Sequence, residues 1–301
     1  MSKDSSSSTE ALRRLERSIK DRVREIAKAE NRTFNDVWKT LVLERFLARL
    51  ARSPQIDNLI FKGGMLLSKY IPLGRETVDL DFLAVNLSAS VETVKAAVES
   101  ILSLPSEDGF SFEESQVEQL PQPHMNYPGY AVSTVAILGG TRTSISIDLG
   151  IGDVVEGAEK SIEFLTLETK PLFEASVALQ VYPLEYIFAE KLEKGIFRGA
   201  TNSRMKDFFD LWILLKRTDL IDEVLKIKAV RQTFSNRDTT IQLAGPLLAQ
   251  SEEMFQRSWT SFLRGVPENI SSGAPNTFLE IVIEMDRWIT SNVLLREPAT
   301  V

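Results

Sequence analysis

The chain has 301 residues, 43% of them hydrophobic, with 35 lysines and arginines against 42 acidic residues and a net charge of −7. That is enough to bury a core of about two lobes, and the absence of cysteine excludes disulfides, thiolate metal sites and a cysteine nucleophile. A single histidine, His124, argues against a histidine metal centre or a Ser-His triad, and an acidic chain is expected to meet nucleic acid only through a local patch.

No apolar run approaches the roughly 20 residues of a membrane helix. Residues 1–9 are serine-rich and lack the apolar stretch of a secretory signal. We therefore expect a cytoplasmic protein with no membrane partner.

In chain order, residues 10–52 read as two helices. Leu12, Leu15, Ile19, Val23 and Ile26 recur at helical spacing, and after Asn31-Arg32-Thr33 a second stripe follows through Val37, Leu41 and Phe46. The first helix is basic, a pattern that fits a solvated face or RNA contact. Leu59-Ile60-Phe61 predicts a buried strand before Gly63-Gly64, and a helix begins near Met65. Alternation from Thr77 to Val85 puts Thr77, Asp79 and Asp81 on one strand face and Val78, Leu80 and Phe82 on the other. Residues 89–103 read as a helix. Residues 130–149 read as a hairpin about Gly139-Gly140. Beyond residue 155 the pattern is mostly helical, with Trp212, Trp259 and Trp288 as expected core anchors. These features predict an α+β, bilobed protein. A helical segment (1–57) packs on a mixed-sheet catalytic lobe (58–155), followed by a mostly helical C-terminal domain (156–301).

The chemistry concentrates in three places. Lys62-Gly63-Gly64 supplies a glycine turn that can admit a triphosphate. Asp79 and Asp81 stand two apart on a strand, so they point the same way and can share a divalent cation, which takes oxygen ligands and keeps several waters. Asp148 alternates with Ile147 and Leu149, which makes it a polar residue opposite the core and a third candidate carboxylate. Each piece alone also fits a turn or a solvated strand face; it is the combination that points to nucleotidyl transfer. A second cluster spans residues 191–217, where seven basic residues outnumber three acidic ones. Asp207 and Asp210 lie one helical turn apart there. This pattern fits either a surface helix pair joined by ion pairs, or a triphosphate site with Lys191 neutralising charge and Asp207 orienting it.

At these residues the chain resembles the AbiEii/AbiGii-type nucleotidyltransferase toxin family, within the DNA-polymerase-β-like nucleotidyltransferase superfamily. Three stretches carry the resemblance across about residues 35–215. They are Phe61-Lys62-Gly63-Gly64-Met65-Leu66-Leu67 with Arg75, Thr77, Asp79, Leu80 and Asp81; Ile147-Asp148-Leu149-Gly150-Ile151-Gly152-Asp153; and Glu190-Lys191-Leu192 with Ser203-Arg204-Met205-Lys206-Asp207-Phe208-Phe209-Asp210-Leu211. The resemblance implies a two-lobed fold, an NTP substrate and Mg²⁺ or Mn²⁺ as cofactor. It implies a toxin of a bacterial toxin–antitoxin or phage-defence system, with an antitoxin encoded beside it, that adds NMP to the 3′ end of tRNA and so blocks aminoacylation. It also implies that Lys62, Gly63, Gly64 and Thr77 border the nucleotide, together with Arg75 and Asp210. Asp79, Asp81 and Asp148 would hold metal, and Asp79, Asp81, Lys191 and Asp207 would form the catalytic set. Gly63-Gly64 stands where the superfamily usually has Gly-Ser, so the phosphate grip falls to backbone N–H groups and Thr77. A protein or small-molecule acceptor, or NTP binding without transfer, remains open at this point.

Overall fold

The computed structural model describes residues 2–120, 128–152, 155–202 and 204–295; His124, Tyr127, Asp153 and Ser203 fall outside them. The chain forms two compact units. One comprises residues 1–70 and 76–182, and the other residues 71–75 and 183–301.

The first unit opens with α1 (Ser2–Ala29) and α2 (Phe34–Leu50). Asn31 takes a left-handed conformation (φ 52°) after the first helix, a backbone state that asparagine tolerates better than most residues. Thr33 then caps α2 by accepting from the Asp36 N–H at 3.2 Å. Ile19, Val23 and Ile26 of α1 and Val37, Leu41 and Phe46 of α2 are buried, as the stripes predict, whereas Leu15 is half-buried and Leu12 is exposed.

Behind the helices stands one eight-stranded mixed sheet. Its elements are β1 (Leu59–Lys62), α3 (Gly63–Tyr70), β2 (Asp79–Ala84), α4 (Val91–Leu102), β3 (Ser111–Phe112) and β4 (Gln116–Leu120). They continue with β5 (Gly129–Leu138), β6 (Thr141–Ile151), β7 (Ala158–Glu163), a small separate hairpin of β8 (Thr166–Leu167) and β9 (Lys170–Pro171), and β10 (Ser176–Val181). The order is β3-β5-β6-β2-β1-β10-β7, with β4 also pairing β5. β2 runs parallel to β6 and antiparallel to β1. Phe46 from α2 meets Phe82 at 6.0 Å between centroids, and Phe61 meets Phe82 at 5.5 Å, so α2 packs on the Phe82 face of the sheet. The carboxylates of β2 therefore occupy the opposite face. α2 also buries two guanidinium groups. Arg49 clasps Asp108 at 2.8 and 3.0 Å, while Arg45 pairs with Glu174 and lies 4.4 Å from the Phe173 ring centroid.

The second unit is helical: α5 (Leu184–Arg198), α6 (Met205–Lys216), α7 (Glu223–Asn236), α8 (Gly245–Leu248), α9 (Glu252–Leu263), α10 (Glu268–Ser271) and α11 (Phe278–Ile289). Phe208, Phe209, Phe255, Trp259 and Phe278 form its aromatic core. Trp259 is fully enclosed, but Trp212 and Trp288 are only half-buried, which corrects their expected role as core anchors. Residues 71–75 belong to this unit because Gly74 (φ +61°) lets the chain lie against Val266, Pro267 and Ile270.

The fold is the expected α+β one, but the expected boundary at residue 155 moves to Tyr182 and Pro183. β7 and β10 extend the sheet beyond it, with Phe61 of β1 level with Val181 of β10. β7 is an edge strand in which only Ile162 is buried, so it carries no alternating apolar signal.

Candidate active site

The register of the sheet gathers the candidate residues of the first unit. Asp81 lies level with Lys62 of β1 on one side and with Asp148 of β6 on the other. Directly opposed residues share a face, so one ammonium and two carboxylates stand in a row across three strands. Asp79 is two residues earlier on the same face, level with Ser146. The Lys62 ammonium lies 5.0 Å from the Tyr182 ring centroid, and a Cβ at Gly150 would be 3.9 Å from it. Lys62 thus reaches across the carboxylate face rather than out from the strand end.

The glycine turn fits this face closely. Gly63 has φ +77°, and a Cβ there would come within 2.6 Å of Asp81 Cβ and overlap the carboxyl group itself. Gly63 is also the first residue of α3, so the Asp81 carboxylate sits against a helix N-terminus, where the helix dipole favours negative charge. Gly63→Ala is expected to cost about 1–2 kcal/mol from the left-handed backbone alone, and to displace Asp81 as well. Urea unfolding and a transfer assay on the variant check this; wild-type behaviour in both would contradict the packing described.

A divalent cation suits the donor set, which consists wholly of carboxylates. Among the described residues no three carboxylates or imidazoles gather about one point. Asp79 and Asp81 are the pair best placed by spacing, and magnesium typically needs only one or two carboxylates beside water and phosphate oxygens. The Thr77 hydroxyl, expected to border the nucleotide, is buried without a hydrogen-bond partner.

The second unit assembles the other predicted residues around a buried ion cluster. Asp210 Oδ2 accepts from Lys191 at 2.8 Å and from Arg75 at 2.5 Å. Lys191 also donates to Asp207 Oδ1 at 2.7 Å, and Arg204 approaches the other Asp207 oxygen at 3.2 Å. Asp210 is fully enclosed, and its second oxygen has no partner, nor has Arg75 Nε. Asp210, assigned by resemblance to the nucleotide, here holds two cations. Burial acts to lower the Lys191 pKa, but Asp210 and Asp207 outweigh it and hold the ammonium charged.

Burial acts to raise the Asp207 carboxyl, but Lys191, Arg204 and Lys194 bring it from 3.8 down to about 2. A depressed carboxyl stabilises the fold fully above its unfolded pKa and loses that contribution as pH falls through the folded value. Wild-type stability should therefore decline between about pH 4 and 2, and Asp207→Asn should flatten this part of the profile. Acid unfolding followed by tryptophan fluorescence tests it; an unchanged slope in the variant would contradict the assignment.

One charged group near the carboxylates carries no sequence signal. Lys39 of α2 reaches the backbone of β6 beside the Asp79 register. It sits between Trp38 and Thr40 in a helix whose pattern reports only packing, and no motif marks it.

The model of a family described as "Nucleotidyl transferase AbiEii toxin, Type IV TA system" matches residues 45–282. No curated protein sequence matches the chain. Among solved structures, the chain is similar to one from H. pylori classed provisionally as a nucleotidyltransferase, at 14% identity and TM-score 0.45, covering 88% of this chain and 100% of that one. It is also similar to JHP933 from Helicobacter pylori, at 16% identity and TM-score 0.41, covering 88% and 99%.

Proposed function

Since the chain belongs to the AbiEii nucleotidyltransferase toxin family of type IV toxin–antitoxin systems, we propose that it transfers NMP from an NTP to an RNA 3′-hydroxyl. The acceptor in this reading is the 3′ end of tRNA, whose blockage stops aminoacylation and translation. The enzyme class, a nucleotidyltransferase, follows from the family; the acceptor, the metal and a role in phage defence are our reading. So are action in the cytoplasm and an antitoxin encoded beside the gene. Among the described residues no helix is long and apolar enough to cross a membrane.

The observation that carries the reading is the row of Asp81 and Asp148 in register, with Asp79 on the same face and Gly63 packed against Asp81. The acceptor 3′-oxygen attacks the α-phosphorus, the bond from that phosphorus to the α,β-bridging oxygen breaks, and pyrophosphate leaves. Asp79 and Asp81 would hold the metal. Mg²⁺ or Mn²⁺ bound there would neutralise charge on the phosphates during transfer. Asp148, one strand from Asp81, takes the proton from the attacking hydroxyl. Gly63 and Gly64 admit the phosphates to the first turn of α3, where free N–H groups favour anions. Lys62 and Thr77 add polar contacts on that side. In the second unit Lys191 supplies positive charge for phosphate, and Asp207, Asp210 and Arg75 fix its position.

Acidity of the whole chain favours a second acceptor class, a protein or small molecule, whereas the basic segment 191–217 favours RNA. Incubating the protein with cell lysate and α-³²P-labelled NTPs separates them. Label removed by ribonuclease and retained through protease supports RNA; the reverse pattern replaces RNA with protein as the acceptor.

A further inference from the structure

α2 packs on the face of the sheet opposite the carboxylates, yet its Lys39 side chain reaches the backbone of β6. Trp38 Nε1 donates to Thr143 Oγ1 at 2.8 Å, and the neighbouring Lys39 ammonium donates to the Ser144 carbonyl. Ser144 lies two residues before Ser146, the partner of Asp79 in the parallel pairing of β2 and β6. The lysine is thus tied to the backbone of β6 next to the first carboxylate of β2.

Its partner distinguishes it from Lys20, Lys69 and Lys95 of this unit. Lys20 ends on Glu16, Lys69 on Glu44 and Lys95 on Glu114. Among the described residues Lys39 has no carboxylate within ion-pair distance, and its hydrogen bond goes to a neutral carbonyl. An ammonium has three donors, so two remain after that bond. Lys39 is half-buried, and the carbonyl it holds lies two residues along β6 from the register position of Asp79. A cation half-withdrawn from water beside a metal-site carboxylate, with donors to spare, suits an anion that must approach that carboxylate. Asp79 alone would repel such an anion.

We propose that Lys39 is a phosphate-contacting residue of the active site, donating to an anionic phosphate oxygen on the Asp79 side. The proposal rests on the nucleotidyl-transfer reading above. The oxygen belongs either to the NTP or to the backbone of the acceptor RNA; the chemistry is the same, and the experiment tells them apart.

The test uses the full-length protein with Lys39→Gln, Lys39→Met and Lys39→Arg, each checked against wild type by its urea midpoint. Two binding titrations are read whether or not transfer is detected: each NTP with Mg²⁺ by calorimetry, and total tRNA by filter binding without NTP. KM and kcat for transfer are read beside them. A charge-assisted hydrogen bond to phosphate predicts that Lys39→Gln and Lys39→Met weaken one ligand about tenfold or more, chiefly in Kd and KM, and that Lys39→Arg largely restores it. Weaker NTP binding identifies the triphosphate as the source, and weaker tRNA binding identifies the RNA backbone. Unchanged affinity for both ligands in folded Gln and Met variants overturns the proposal. A wild-type protein that labels no acceptor overturns the transfer reading separately, and the two titrations still decide whether Lys39 contacts phosphate.

Discussion

Replacing Asp81 by asparagine is expected to lower nucleotidyl transfer by about 10²- to 10³-fold, the scale seen when one electrostatic group aimed at transition-state charge is removed. Asparagine keeps the shape of the side chain against Gly63, where the carboxyl group fills the space a Cβ would occupy. The loss is therefore one of charge, not of packing. Asp79→Asn should behave alike, because it shares the strand face and not the glycine contact. The measurement is initial-rate transfer from labelled NTP, with the urea midpoint as a check on folding. Rates within about tenfold of wild type in a folded Asp81→Asn protein would remove this carboxylate from the reaction centre.

The largest effect on stability is expected in the second unit. Asp210→Ala should cost about 3–5 kcal/mol of unfolding free energy, because it leaves buried cations without their shared counter-charge. Arg75 would lose its carboxylate, and Lys191 would keep only Asp207. Asp210→Asn retains an acceptor oxygen and should cost less than the alanine variant. Denaturant unfolding of both variants checks the order. An alanine variant within about 1 kcal/mol of wild type would mean that Asp210 is not the hub of the cluster.

Local patterns carried much of the fold. The stripes of α1 and α2, the short apolar run of β1, the helix α4 and the glycine hairpin between β5 and β6 all follow from periodicities of 3.6 or 2 with recognisable turn residues. The shared strand face of Asp79, Asp81 and Asp148 was legible for the same reason, since each alternates with apolar neighbours. Long-range pairing was not legible. β10 lies beside β1 although more than a hundred residues separate them, and β7 follows as a mostly exposed edge strand. That is why the expected boundary fell at residue 155. Buried charge was also hidden, because Glu44, Arg45 and Arg49 look in sequence like a solvated helix face and are enclosed in the fold. The Arg75–Asp210 pair joins positions 135 residues apart, and the bond from Lys39 of α2 to the Ser144 carbonyl of β6 spans 105.

The central claim, NMP transfer to RNA dependent on the β2 carboxylates, is tested most directly by one assay. Purified protein is incubated with Mg²⁺, total tRNA and each of the four α-³²P-labelled NTPs in turn, beside Asp79→Ala. The account predicts a labelled tRNA band with the wild type that is absent with the variant. Equal labelling by Asp79→Ala, or no label in tRNA from a folded wild-type protein, would contradict it.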